Sequence, residues 1–447
     1  MSLHDALAVS GGCWIGAHPE TGEDGGEFEL VGTQPYSRLA FRLSEAELDN
    51  YYLGFANSVL WPLCHRRPDL VKINPGYIEA YEAVNRRVAQ MVAAEISPTD
   101  VIWVQDYHFI PLARELRKLG ITNRIGFFLH IPFPVLADLS IMPRAEMFAE
   151  NLAHFNLIGL QTRGDVARCM EMFRADARAE FMTDGSIKFG DHVSHVRSFP
   201  IGIDAASFRE EAERDLPVGF GNASPELFAI GVDRLDYSKG LPHRFRAFGR
   251  YLETRESDIR PSLVQIAPPT RLGVQAYDDI TEELQGLTGK INGRFAELDW
   301  TPIRFINRGV ERSTLARLFR RARACLVTSL ADGMNLVAKE YIAAQDPEDP
   351  GVLILSRFAG AAEDMTEALL VNPYDLDGMA RAIARAFAMD LPERQRRHRH
   401  SLEVVQKTDA TTWAQSFLNV LKTRTETFGF HSSDRSNELL SGAVEYP

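Results

Sequence analysis

Cysteine is scarce in this 447-residue chain, and its four copies, Cys13, Cys64, Cys169 and Cys325, show no CxxC spacing. That scatter argues against a zinc–thiolate cluster and a disulfide framework, and it predicts reduced thiols in a cytosol, most of them filling core space. No apolar run nears the ~20 residues that cross a bilayer, and the opening MSLHDALAV lacks the charged and apolar regions of a signal peptide. A cytoplasmic protein with no membrane partner is expected. Basic charge is also short, with 49 Lys and Arg against 61 Asp and Glu and a formal net charge of -12. A surface that wraps a polyanion needs the opposite balance, so no nucleic-acid partner is expected and any bound anion should be small and locally captured.

What is present is apolarity in short, continuous runs. VIWVQ (101–105), IGFFLH (125–130), NLIGL (156–160), LFAIGV (227–232), SLVQIA (262–267), IRFI (303–306), CLVTS (325–329) and VLILS (352–356) have strand length. Continuous rather than alternating apolarity means burial on both faces, the pattern of a parallel sheet in an α/β protein. Amphipathic stretches lie between them, including PLARELRKL (111–119), STLARLFRRA (313–322) and LDGMARAIARAFAM (376–389). A polar gap at 205–226, punctuated by Pro, Gly, Asn and Ser, is the candidate linker between two halves. In TTWAQSFLNVLK (411–422), Trp413, Phe417, Leu418 and Leu421 share one face that must dock somewhere.

Three stretches carry chemistry. In GVDRLDYSKG, Arg234 and Lys239 follow a buried strand at the place where a doubly wound sheet opens its cleft. Two converging cations suit a diphosphate, the arginine through paired hydrogen bonds and the lysine as a compact charge; the competing reading pairs Arg234 with Asp233 or Asp236 and leaves Lys239 solvated. In SLADGMNLVAKEYIAAQD, Asp332–Gly333 reads as a turn into a helix whose first amides form a second anion site, and Glu340 lies two turns in, where a carboxylate can accept two sugar hydroxyls. In the first half, Asp106 and His130 end two successive buried strands and would look into the cleft from the other side.

NSVLWPLCH (57–65), RIGFFLHIPFP (124–134), GLQT (159–162), FPIGID (199–204), DRLDYSKGLPHRF (233–245), QAYDDI (275–280), INGRF (291–295) and DGMNLVAKEYIAAQDPEDPGVLILSRFAGAAEDM (332–365) occur in this order. Together they resemble the trehalose-6-phosphate synthases, retaining glycosyltransferases of family 20 that join UDP-glucose to glucose 6-phosphate, over about residues 11–424. The resemblance implies a GT-B fold: two Rossmann-like α/β domains with parallel sheets facing across a cleft, and a C-terminal helix crossing back. Residues 1–205, with 408–425 crossing back, would bind the acceptor; 206–407 would bind the nucleotide sugar; 426–447 would be a frayed tail. It further implies that Arg234 and Lys239 hold the UDP diphosphate. Asp332, Gly333, Met334, Asn335, Leu336 and Val337 would line the glucosyl and phosphate site, with Glu340 on the ribose. His130 would contact the donor sugar and Asp106 the acceptor, with Tyr52, Trp61 and Arg271 binding glucose 6-phosphate. UDP-glucose is then a substrate; no metal or other cofactor is implied, and a homo-oligomer is compatible. Retention without an evident enzyme nucleophile implies front-face attack, the donor phosphate helping to accept the proton.

The chain departs from the family pattern at its start. The family's first strand, with an SNR segment and a loop ending in Gly-Gly, precedes the region resembling GGCWIGAHPETG and is absent here. Either the start lies upstream or the protein is shortened; an upstream start is expected, because a strand lost from a parallel sheet exposes apolar surface and an unpaired edge. Ala17 replaces a tryptophan of the acceptor site, and Gln105 stands where many relatives have histidine. Two alternatives follow: transfer to another phosphorylated acceptor such as glycerol 3-phosphate, or a weakly catalytic subunit that binds sugar phosphates and regulates. A fused phosphatase is not expected, since no DxDGT-like motif occurs.

Overall fold

All eight apolar runs form strands within two six-stranded sheets in the computed structural model, which describes residues 4, 7–8, 11–23, 26–214, 227–256, 258–270 and 275–423. A small sheet comes first, of β1 (Cys13–Ala17), β2 (Glu29–Gly32) and β3 (Ser37–Phe41) in the order β1-β3-β2. The first large sheet contains β4 (Val101–Gln105), β5 (Arg124–Phe128), β6 (Leu157–Leu160), β7 (Ala179–Phe181), β8 (Ile187–Phe189) and β9 (His192–Ser198). Its order is β4-β5-β6-β9-β8-β7. The strands β4, β5, β6 and β9 pair in parallel, whereas β9-β8-β7 is an antiparallel meander. The purely parallel expectation is corrected there: Gly185 and Gly190, both at positive φ, close turns in Asp-Gly and Gly-Asp contexts that return the chain beside itself.

Helices α1 (Pro75–Glu95), α2 (Leu112–Lys118) and α3 (Arg163–Ala175) belong to this half. Before them runs a π-helix, Leu48–Leu60, that sequence periodicity did not announce. Its wide winding is supported by side chains that donate five residues back, Asn57 Nδ2 to the Tyr52 carbonyl at 2.8 Å and Ser58 Oγ to that of Leu53 at 2.7 Å. With about 3.6 residues per turn an α-helix would set Tyr52 and Trp61 on opposite faces; bonding i→i+5 takes more residues per turn and brings them toward one face.

The polar gap at 205–226 is only partly a linker. Its first part folds as α4 (Ala205–Glu213), capped by Asp204 and burying Phe208 and Ala212 one turn apart; residues 215–226 lie outside the described residues. The second large sheet follows: β10 (Phe228–Val232), β11 (Ser262–Ile266), β12 (Ile303–Ile306), β13 (Ala324–Val327), β14 (Val352–Ser356) and β15 (Leu369–Val371). The order β12-β11-β10-β13-β14-β15, parallel throughout, means that the chain enters at the centre, winds outward and returns beside β10. The strand order therefore reverses between β10 and β13, and the cleft of such a sheet opens beyond their carboxyl ends. Helices α5 (Leu241–Thr254), α6 (Arg312–Arg321), α7 (Leu336–Ala344) and α8 (Leu376–Ala388) cover it.

The last described helix, α9 (Ala410–Lys422), returns to the first sheet. Phe417 stacks on Trp103 at 4.6 Å and meets Phe128 and Phe199 edge-on, while Trp413 packs on Phe128 at 4.8 Å. Each ring so buried is worth about 1.5–3 kcal/mol, which locks the two halves together through this helix. The apolar face read in the sequence thus docks on β4 and β5. The tail from 426 lies outside the described residues.

Candidate active site

The turn after β10 is built so that Arg234 is exposed while its acids are buried. Asp233, buried, accepts from Arg244 Nη1 at 2.7 Å, and Arg244, with no exposed surface, also donates to Gln265 Oε1 at 2.7 Å and Thr328 Oγ1 at 3.0 Å. Burial holds the Asp233 carboxyl above its ordinary range despite the arginine. Asp236 Oδ1 caps the single turn Tyr237–Lys239 by accepting from the Ser238 amide, and its Oδ2 accepts from Tyr277. Both acids that might have neutralised Arg234 are thereby engaged elsewhere. The exposed Arg234 guanidinium instead lies 5.5 Å from the centre of the Trp61 ring, in the other half of the molecule. Lys239 is buried, not solvated, and pairs with Asp332 at 2.6 Å. Gly240 completes the turn at φ 65°, and a side chain there would also meet the Thr328 carbonyl at 2.4 Å.

The second component follows β13. Asp332 Oδ2 accepts from Lys239, from Ser329 Oγ at 3.0 Å and from Asn335 Nδ2 at 2.9 Å. Burial alone would push this carboxyl up, but Lys239 and Asn335 hold it below its ordinary range. Asn335, at φ 76°, is the residue that turns into α7 and caps it through the Ala338 amide. Leu336 and Val337 open the helix, half-buried, after the buried Met334. Glu340, farther along α7, is half-buried, and burial pushes its carboxyl up to about 7 against the opposing pull of Arg312. Gly333 touches the first half directly: a side chain there would sit 2.1 Å from the His130 carbonyl oxygen.

The facing wall comes from the ends of β4 and β5. Asp106 adopts φ 66°, ψ 171°, a region that residues other than glycine enter only when the surroundings force them. Its Oδ1 accepts from the His130 amide at 3.3 Å. The His130 ring bonds Gln105 at 2.9 Å, and burial pushes its pKa down to about 4, so the ring is neutral. Tyr52 stacks on His108 at 5.6 Å, and Trp61 packs on Tyr107 and His65. Arg271 lies outside the described residues, and Ala17 ends β1, exposed. Arg234, Lys239, Asp332, Gly333, His130 and Trp61 are therefore linked by contacts across one cleft. Sequence reading missed Arg244, the buried His65 beneath Trp61, and Glu363, whose carboxylate accepts from the Arg163 and Gly164 amides at 3.0 and 2.9 Å and so caps α3 from the opposite half. For Arg244 a signal existed, an arginine at the buried start of α5 behind the turn; for the other two there was none. Among the described residues no group of three or more His, Cys, Asp or Glu side chains could hold a metal ion, and no helix is long and apolar enough to cross a membrane.

Two sheets facing across a cleft, with a cation pair and a helix start at the switch point of the second, define a glycosyltransferase of GT-B architecture. The chain belongs to glycosyltransferase family 20, whose model matches residues 13–423. It is 42% identical over 428 residues to a trehalose-6-phosphate synthase of Sodalis glossinidius, covering 94% of this chain and 91% of that one. The crystal structure of a UDP-forming α,α-trehalose-phosphate synthase from Burkholderia xenovorans in complex with glucose-6-phosphate is similar with TM-score 0.90 and 44% identity, covering 94% of this chain and 95% of that one. An Escherichia coli enzyme bound with UDP-2-fluoro glucose is similar with TM-score 0.92 and 40% identity, covering 95% of each chain.

Proposed function

We propose that this chain moves glucose from UDP-glucose to glucose 6-phosphate with retention, releasing UDP and trehalose 6-phosphate, as its relatives' names describe for them. The observation that carries this reading is the pair Arg234 and Lys239 beyond β10, with Arg234 over Trp61 of the first half, Lys239 on Asp332, and the adjoining Gly333 against the His130 carbonyl. Departure of UDP concentrates negative charge on its diphosphate, which Arg234, the start of α7 and Lys239, held near by Asp332, are placed to stabilise. The acceptor hydroxyl oxygen bonds to the anomeric carbon as the bond to the phosphate oxygen breaks, on the same face, and its proton passes to the departing phosphate. We assign the donor to residues 206–407 and the acceptor to 1–205 with 408–425. Glu340 is given to the ribose, Gly333, Met334, Asn335, Leu336 and Val337 to the glucosyl and phosphate groups, and Tyr52, Trp61, Asp106 and Arg271 to glucose 6-phosphate. The bacterial relatives support a cytoplasmic setting.

The test is incubation with UDP-glucose and a panel of acceptors, reading UDP release and identifying the product by NMR. Release with glucose 6-phosphate and a 1,1-linked α,α product is the expected result. UDP-glucose binding without UDP release for any acceptor would show a sugar-phosphate-binding regulator instead.

A further inference from the structure

We propose that Gln105 is a positioning residue of the transfer site: its side-chain carbonyl accepts the Nε2 proton of His130 and so fixes which ring nitrogen remains to meet the donor sugar. Gln105 ends β4, and its register partner on β5 is Phe128, two residues before His130. That offset lets the glutamine side chain span the strand ends, and its Oε1 lies 2.9 Å from His130 Nε2. An amide carbonyl only accepts, so the ring must donate there, which leaves the Nδ1 lone pair as the ring's other bonding site. The obvious rival, Asp106, is spent elsewhere, because its Oδ1 takes the His130 backbone amide.

The ring is otherwise held by apolar surfaces, Phe128 at 4.8 Å and Trp413 from α9 at 5.9 Å. Neither chooses a tautomer. Of the nearby acids, Asp106, from the end of β4, bonds the His130 backbone amide, and Asp332 lies one residue before Gly333, whose backbone abuts the His130 carbonyl. Lys239 and Asn335 keep the Asp332 carboxyl ionised and burial keeps the ring neutral, while Gln105 gives that neutral ring a neutral partner. A glutamate in place of Gln105 would do the opposite and favour the imidazolium.

The importance of this contact for the sugar rests on the function proposed above; the tautomer does not. Long-range 15N–1H NMR of the ligand-free protein, with His130 assigned by comparison with His130→Gln, should show a neutral ring protonated at Nε2. Gln105→Leu should mix the tautomers and weaken UDP-glucose binding about fivefold by calorimetry, the scale of one hydrogen bond, with UDP binding unchanged. In Gln105→Glu the ring should titrate closer to neutrality. Protonation at Nδ1 in the wild-type protein, or unaltered tautomer and donor affinity in Gln105→Leu, would overturn the proposal. Failure of the glucosyl-transfer assay would overturn the function while leaving the NMR result to stand or fall separately.

Discussion

At the scale of single residues, the site depends on which acids are kept away from which cations. Asp233 is held by a fully buried Arg244 and Asp236 by Ser238 and Tyr277, so Arg234 remains available to a ligand; Lys239 waits on Asp332 instead. Glu340 carries a pH consequence. Its carboxyl titrates near 7, raised by burial, and in the proposed ribose contact the ionised form accepts through both oxygens, whereas protonation turns one of them into a donor. The group is mostly protonated at pH 6 and mostly ionised at pH 8, so UDP affinity should rise about tenfold over that interval. Calorimetry across the range checks this, and Glu340→Gln should flatten the curve; an equal slope in the variant would remove Glu340 from the nucleotide site. The positions of Arg234, Lys239, Asp332 and Glu340 were legible in the sequence because strand ends and helix starts in an α/β chain are themselves legible. The contact of Arg234 with Trp61, and of His130 with Gln105, was not, since each joins elements whose approach only the tertiary structure determines.

At the scale of elements, buried strands announced themselves through continuous apolarity, and β4, β12 and β14 begin and end where the sequence placed them. The π-helix at Leu48–Leu60 did not, because its residues obey no 3.6 period; the wide winding is held by Asn57 and Ser58 and by packing against α1. Nor did the meander β7-β8-β9, in which β7 and β8 have only three residues each and β9 mixes polar with apolar residues, or α4, whose acidic residues read as linker while Phe208 and Ala212 anchor it. The start of α7 meets the first half at Gly333, under the His130 carbonyl. Gly333→Ala places a methyl where the His130–Ile131 backbone already stands, so the start of α7 and the end of β5 must separate. Turnover should fall about 10²-fold with circular dichroism unchanged, the scale for misplacing reacting groups by about an ångström. A variant with normal turnover would show that this approach does not set the catalytic geometry.

At the scale of the whole molecule, an acidic chain of formal net charge -12 brings Arg234 and Lys239 to the switch point between β10 and β13, where the first half meets them through Trp61. Two large sheets, the α9 crossing and the Glu363 cap on α3 keep those walls in contact, and this architecture was readable because two series of buried strands flank a polar gap. The shape of the cleft was not readable, since it depends on where a few backbone atoms touch. The central claim is that Arg234 stabilises the diphosphate as it leaves. The measurement that tests it most directly is the turnover number of Arg234→Ala with UDP-glucose and glucose 6-phosphate at saturation. A fall of about 10²–10³-fold is predicted, the scale for losing one preorganised charge-stabilising group; a near-normal turnover would contradict the account.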